Sequence, residues 1–372
     1  MRRNKGFTLI ELLIVLALLS LMLALTLEMT IGTLRTYKQY SKSVESNIAG
    51  VIGLEIMRRD IEGAGYGLPW VIPAGTTYQE ATNPIAMLFN DSPSAAPRAI
   101  LTGDGNAIGT APANGIVAGS DYLVVKAINL EQNATCQKWH YLYSTGIVSN
   151  SVTTTENLVN ADRVIILDPG STATPTGETE TSNMVLVAPS GANLGASTLF
   201  QNAAGFVNTD DNRIIYGADP NTNLRMPFNR ADYYVSIAGV PGRCAPGTGV
   251  LVKAIVSQSD GGFSNTNILP LLDCVADMQV YTLRASLGNT SAAINAADAQ
   301  TLRSDLQEVI VSILAQVGQQ DPSYSNNTNP ILVGFSPLNG LGRNFDFAAA
   351  GIPNWQKYRW KIYTLVARPN LR

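Results

Sequence analysis

The pattern of apolar and polar positions opens on one unbroken hydrophobic segment. After the polar leader Met1 to Gly6, residues 7–27 run apolar, with Glu11 as the only charged side chain. A helix of that length rises about 31 Å, close to the thickness of bilayer hydrocarbon. Arg2, Arg3 and Lys5 precede it, and basic flanks of this kind stay on the cytoplasmic side. A secretory signal would show a shorter apolar stretch followed by a small-x-small cleavage site, so the span is expected to be retained.

Beyond the span, Leu34, Tyr37, Val44, Ile48, Val51, Ile52 and Ile56 recur at helical spacing among Arg35, Lys38, Lys42 and Glu45, and no proline precedes Pro69. The spacing predicts one continuous helix of roughly 55 residues, about 80 Å long, ended by the run Gly63-Ala64-Gly65-Tyr66-Gly67. Its first part, 7–27, belongs in a membrane or an assembly core. Its amphipathic part, 28–62, needs a soluble domain to cover its apolar stripe. Gly32, Gly50 and Gly53 read as weak points, each costing up to about 1 kcal/mol against Ala in a helix interior.

From Pro69 onward the pattern changes period. Strand-like runs are expected at 121–128, 138–143, 163–167, 184–187, 233–237, 250–256, 278–283, 309–317 and 361–366. In the 309–317 run, Val309, Val311, Ile313, Ala315 and Val317 fall on one face and Ser312 and Gln316 on the other. One short helix is expected within 292–306. Residues 70–118, 145–182 and 318–345 are rich in Gly, Pro, Asn and Thr and read as long loops. The fold class is therefore α+β, a long N-terminal helix packed on an antiparallel β-rich domain over 63–372.

Composition narrows the chemistry. Charged residues make up 14% of the chain, and 25 basic side chains stand against 28 acidic ones, which leaves no cationic field for nucleic acid. The chain has one histidine, His140, so no centre needing two imidazoles can form. No P-loop, Rossmann fingerprint or G-x-S-x-G elbow is present, and no enzyme activity, metal or cofactor is expected.

Glu11 is the anomaly of the first segment, since a carboxylate inside a span costs roughly 2.5 to 3.5 kcal/mol. A snorkelling carboxylate near a helix end is the plain reading. The string Gly6-Phe7-Thr8-Leu9-Ile10-Glu11 after a basic leader, however, resembles the signal of type IV prepilins and pseudopilins. That resemblance implies that prepilin peptidase cuts between Gly6 and Phe7 and methylates the Phe7 amine, the leader being residues 1–6. It also implies that Glu11 is an assembly charge. Phe7 and Glu11 lie four positions apart on one helix face, and in a filament the carboxylate of one subunit can meet the amine of the next. Removal of Arg2, Arg3 and Lys5 takes the formal charge from -3 to -6.

Weaker strings refine the resemblance. Asp60-Ile61-Glu62-Gly63-Ala64-Gly65-Tyr66 is similar to the D-I-R-x-A-G-Y segment of PilW-type minor pilins, with Glu62 in place of Arg. Asp121 to Lys126 and Val275 to Tyr281 resemble later strands of PilW-type pilins and of J-type pseudopilins of type II secretion. Thr364 to Asn370 is near the family's closing strand, with Pro369 intruding. The resemblance implies a minor pilin that primes assembly of a type IV pilus and sits in or caps its tip. The alternatives are a pseudopilin of type II secretion and a tip-located adhesive module, which an exposed aromatic or basic patch within 70–240 would favour. Implied partners are the bacterial inner membrane, prepilin peptidase, other minor and major pilins and a tip adhesin, with the globular domain periplasmic and, after assembly, on the pilus.

Cys136, Cys244 and Cys274 then lie in a compartment that permits disulfides. Three cysteines allow one internal bridge, and Cys136 to Cys244 is the favoured pairing, with Cys274 a buried thiol in its apolar run. Connectivity is not fixed by spacing. Cys136 and His140 form a C-x3-H pair, more readily an ordinary loop edge and strand than a zinc site or a nucleophile and base. The turns Thr102-Gly103-Asp104-Gly105-Asn106 and Thr209-Asp210-Asp211-Asn212 offer carboxylates for Ca²⁺ but lack the full EF-hand ligand series, and turn chemistry accounts for them.

Overall fold

The computed structural model describes residues 8–131, 133–149, 154–171, 183–188, 198–209, 212–285, 291–334 and 342–371. Helix α1 runs Leu9–Glu62 without a break, 54 residues, as its proline-free pattern predicts. The strands follow in chain order: β1 Ile100–Gly103, β2 Tyr122–Ala127, β3 Trp139–Tyr143, β4 Gly146–Ser149, β5 Arg163–Ser171, β6 Asn183–Ala188, β7 Thr198–Leu199 and β8 Arg213–Asp219. They continue as β9 Asn229–Ser236, β10 Gly249–Ile255, β11 Ile268–Arg284, β12 Leu306–Val317, β13 Ile331–Gly334, β14 Gly342–Phe345 and β15 Arg359–Ala367. Two short helices, α2 Ser291–Ala296 and α3 Ala299–Asp305, replace the single helix expected within 292–306. Asp298 divides them, accepting the Thr301 N–H at 2.7 Å as the N-cap of α3.

Among the described residues these strands form two antiparallel sheets and a hairpin. A seven-stranded sheet has the order β1-β2-β9-β10-β11-β12-β15. A second has the order β4-β3-β8-β5-β6 with β7 beside β5, and β13 pairs with β14 alone. The main core is shared between both sheets and the last turns of α1: Met57, Ile61, Leu123, Val125, Ile165, Leu167, Tyr233 and Val311 are all buried in it.

Both faces of the large sheet are covered. On β2, Leu123 and Val125 point to the main core, while Tyr122 and Val124 pack with Phe89 and Leu101 on the other side. On β12 the expected alternation holds, but the polar face is not solvated. Leu314 joins an outer cluster with Phe345, Phe347 and Tyr358, and Gln316 is buried. The Gln316 amide is satisfied there, accepting the Ala245 N–H at 2.7 Å and donating to the carbonyls of Arg243 and Gly318, each at 3.0 Å.

The stretches read as loops carry more of the fold than their composition suggests. The 145–182 stretch contains β4 besides the expected β5, and 318–345 contains β13 and β14. Within 70–118, Tyr78, Glu80 and Phe89 are buried. Short strands between turn residues give too few periodic positions to stand out from loop sequence. Strand β11 is also longer than the expected 278–283 because bulges near Leu272 and Val275 let it pass Pro270 and Cys274 without losing its partners.

Candidate functional site

The site is α1 and the junction that fixes it to the β domain. At its start Thr8 and Glu11 form a capping box. The Glu11 carboxylate accepts the Thr8 N–H and the Thr8 hydroxyl, both at 2.9 Å, and Thr8 Oγ1 accepts the Glu11 N–H at 3.4 Å. Gly6 and Phe7, the expected processing residues, lie outside the described residues. Leu9–Leu34 is apolar and long enough to cross a bilayer, and none of it is covered by the β domain. Its hydroxyls are turned inward on the backbone: Ser20 donates to Ala17 O at 2.8 Å, Thr26 to Met22 O at 2.9 Å and Thr30 to Thr26 O at 2.7 Å. Such bonds satisfy polar groups that lipid cannot.

Further along, among the described residues, the expected stripe is covered only at Ile56, which packs partly buried against the main core. Ile48, Val51 and Ile52, expected against the soluble domain, are exposed at 55%, 63% and 58%. The covered face is instead Gly50, Gly53, Leu54, Met57 and Ile61. Gly50 and Gly53 are approach points and not weak points. A Cβ on Gly53 would lie 2.7 Å from the carbonyl carbon of Leu271, and one on Gly50 would lie 3.0 Å from Leu272 Cδ1. Two glycines on one helix face thus let α1 touch the β11 backbone. An apolarity scale gives such a face no weight, so the pattern favoured the opposite one.

The end of the helix is locked by contacts from three strands. Asp60 Oδ2 takes the Lys253 ammonium at 2.5 Å and the Tyr233 hydroxyl, and Lys253 also donates to Leu130 O at 2.8 Å. Gly65 N–H bonds Lys126 O at 3.0 Å, and Asn370 N–H bonds Glu62 O at 3.1 Å. Asp121 N–H bonds Met278 O at 2.8 Å, and Asp121 Oδ2 accepts the Val280 N–H at 2.8 Å. The sequence islands at 60–66, 121–126, 275–281 and 364–370 therefore sit together around one junction. On the far side of α1, Arg58 bridges Glu55 at 2.6 Å and Glu62 at 2.5 Å, and this pairing holds the Glu55 carboxyl down at about 2.

A buried charge cluster beside the junction gave no motif in the sequence. Arg230 makes a bidentate pair with Asp232, at 2.7 and 2.9 Å, and also bonds Glu80, Asn90 and Ala86 O. Lys126 bonds Glu80 and Asp91, each at 2.7 Å, and Tyr122 donates to Asp232 at 2.7 Å. Together these groups fasten the 76–98 segment onto β2 and β9. The available signal was Lys126 inside the strand-like run at 121–128, where a charge is tolerated only if paired. Arg230 and Asp232 precede the expected run at 233–237 and joined a strand only because β9 starts at Asn229.

The cysteine pairing is a correction. The bridge is Cys244–Cys274, with Cα atoms 4.9 Å apart, and the expected Cys136–Cys244 bridge is not formed. Cys136 is a buried free thiol that donates to Glu131 O at 2.9 Å, and burial, with Glu131 nearby, pushes it up to about 12. The β11 bulge turns Cys274 out of the ladder, at φ 57°, toward the 241–248 loop, a reorientation that spacing along the chain does not record.

His140 is a buried strand residue, its Nδ1 2.6 Å from Trp139 O and its ring edge-on to Phe200. No group of three or more metal-ligating side chains occurs among the described residues. Asp104 closes a turn by accepting the N–H groups of Asn106 and Ala107, at 2.9 and 3.3 Å. Asp210 and Asp211 of the second Asp-rich turn lie outside the described residues. Trp139, Tyr141 and Tyr143 line one face of β3, half-buried, with Trp139 edge-on to Tyr141 and packed against the main core, and Tyr141 tilted against Tyr143.

Comparison with known proteins agrees with the N-terminal geometry. Residues 1–27 match the family model described as the prokaryotic N-terminal methylation motif. Among solved structures the chain is similar to a type IV-like pilin from Thermus thermophilus, at 12% identity and a TM-score of 0.23. That likeness covers 39% of this chain and 66% of the other. No curated protein matches the sequence. The matched motif, with the long apolar helix ahead of an antiparallel domain, supports the type IV pilin-like resemblance read from the sequence. The motif fits N-terminal methylation, and the apolar helix fits a membrane anchor.

Proposed function

We propose that this chain is a minor pilin of PilW type, which joins other minor pilins to prime assembly of a type IV pilus and sits in or caps its tip. In this reading residues 1–6 are removed between Gly6 and Phe7, residues 7–27 anchor the subunit in the inner membrane, and 28–62 carry the periplasmic domain 63–372. Catalysis has no part in it. The observation that supports the reading best is the second apolar face of α1. Ile48, Val51 and Ile52 lie opposite the face that Gly50, Gly53 and Met57 give to the β domain, and they are exposed, as the span Leu9–Leu34 is. A helix covered by its own domain on one side and apolar on the other is suited to stand between that domain and neighbouring helices. A domain with two large sheets is accommodated most easily where the filament ends and one side has no neighbour.

Glu11 supplies the charge for docking. Its carboxylate, held by Thr8 in the free helix, passes to the Phe7 amine of an adjacent subunit on assembly. The test combines Ile52→Glu with Glu11→Ala in cells. Both variants insert and fold, because Ile52 touches no core and loss of Glu11 removes a bilayer cost. Both are expected to lose crosslinks to neighbouring pilins and to lower the number of pili. Wild-type crosslinking and piliation by both variants, at equal membrane abundance, sinks the proposal.

A further inference from the structure

On the outer side of the large sheet, away from α1, a cavity of about 670 Å³ opens between the 112–119 turn, the 237–248 loop and the segment after β14. This is the size range of small-ligand sites. Val117, Ile237, Val240, Pro246 and Phe345 give it apolar walls, and Cys244, pinned by its bridge to Cys274, stiffens one side. The exceptional wall residue is Arg343 on β14. Its Nη1 donates to Gly119 O and, at 3.3 Å, to Asp277 Oδ1, and its guanidinium carbon lies 5.6 Å from the centre of the Phe345 ring. A Cβ on Gly119 would lie 2.8 Å from that carbon, so the guanidinium rests flat on a position that only glycine suits, φ being +70°.

One edge of the guanidinium is thus fixed and the other is not. Among the described residues Nε and Nη2 make no hydrogen bond, and Arg343 lines the cavity. Those two donors form the parallel fork that matches the two oxygens of a carboxylate. We propose that this cavity binds an apolar group ending in a carboxylate, with the Nε/Nη2 edge of Arg343 as its anchor. A neutral ligand leaves the fork unmatched, and a cation is repelled by it. A phosphate dianion is the poorer fit because apolar walls do not replace its hydration. The anions already present do not occupy the fork. Asp277 sits behind it on Nη1, and Asp346 at the rim spends Oδ1 on Asn329 Nδ2 at 2.9 Å and the Ala348 N–H at 2.8 Å. The carboxylate comes either from a free small acid or from the C-terminal residue of a chain. This proposal does not depend on the filament reading.

The test uses the full chain in detergent micelles. Titrations compare 4-phenylbutyrate with 4-phenylbutyramide, and the peptide Gly-Gly-Ala-Phe with its C-terminal amide, followed by calorimetry. The expected result is binding of 4-phenylbutyrate about tenfold or more tighter than its amide. Peptide binding as well, again favouring the free carboxylate, identifies a chain terminus as the source; binding of the free acid alone identifies a small molecule, and both outcomes support the site. Arg343→Gln should abolish the preference for the carboxylate. Ala349→Trp, which fills the mouth from an exposed position and leaves the fork alone, should abolish binding and guards against misfolding of the Arg343 variant. Equal affinity for acid and amide, or wild-type binding by Ala349→Trp, overturns the proposal.

Discussion

The Lys253 ammonium lies 2.5 Å from the Asp60 carboxylate, joining strand β10 to the last turn of α1 where both side chains are largely withdrawn from water. The Tyr233 hydroxyl binds the same carboxylate oxygen, so helix and sheet share one polar clamp inside an apolar junction. Asp60→Ala leaves the ammonium with Leu130 O alone, an uncompensated buried charge that costs about 3 to 5 kcal/mol. The pair Asp60→Leu with Lys253→Met, which removes both charges, is expected to recover most of that loss. Chemical denaturation of the single and double variants measures it, and equal destabilisation of the two would argue against the clamp.

Two glycines of the same helix should respond differently. Gly53→Ala forces α1 away from the Leu271 carbonyl, and the overpacking, about 1 to 3 kcal/mol, exceeds the helix propensity gained. Gly32→Ala meets nothing within 4 Å and should leave the domain's unfolding temperature unchanged. A Gly53→Ala protein as stable as wild type would mean that α1 does not touch β11 so closely.

The disulfide closes a separation of 30 residues, for which chain-entropy reasoning gives about 3 to 4 kcal/mol. Cys244→Ser and Cys274→Ser should each lose stability of that order and show the reduced mobility pattern on non-reducing gels. Cys136→Ala should keep the bridge. Peptide mapping of the wild-type chain is expected to find Cys136 as the alkylatable thiol only after unfolding, because it is buried.

Acidity should stabilise the domain. Burial raises Asp121 to about 7 and Asp277 to about 6, and burial with the neighbouring Asp219 raises Glu131 to about 7. Each folded-state value lies above the unfolded value near 4, so the folded chain binds more protons between those limits. The stability these groups contribute is fully present below about pH 4 and is lost as pH rises through 6 to 7. Melting temperature is therefore expected to be higher at pH 5 than at pH 8. Asp277→Asn should flatten the slope, and a wild-type profile rising from pH 5 to 8 would contradict the assignment.

The division between sequence and tertiary structure follows from the range of the forces involved. Residues 1–27 spell out a basic leader, Glu11 and an apolar span and match the N-terminal methylation motif, because a local motif and lipid burial are both read from contiguous residues. The uninterrupted helix and the strands around 121–128, 250–256 and 309–317 were equally plain, since hydrophobic periodicity is local. What the chain order could not convey were choices between distant surfaces. The face of α1 that packs was decided by Gly53 meeting the Leu271 backbone and Gly50 meeting the Leu272 side chain, the partner of Cys244 by a bulge in β11, and the role of Lys126 and Arg230 by carboxylates brought from other elements. Close approach, bridge geometry and the pairing of buried charge depend on what lies opposite in space, and only the folded arrangement of the two sheets on the helix supplies it.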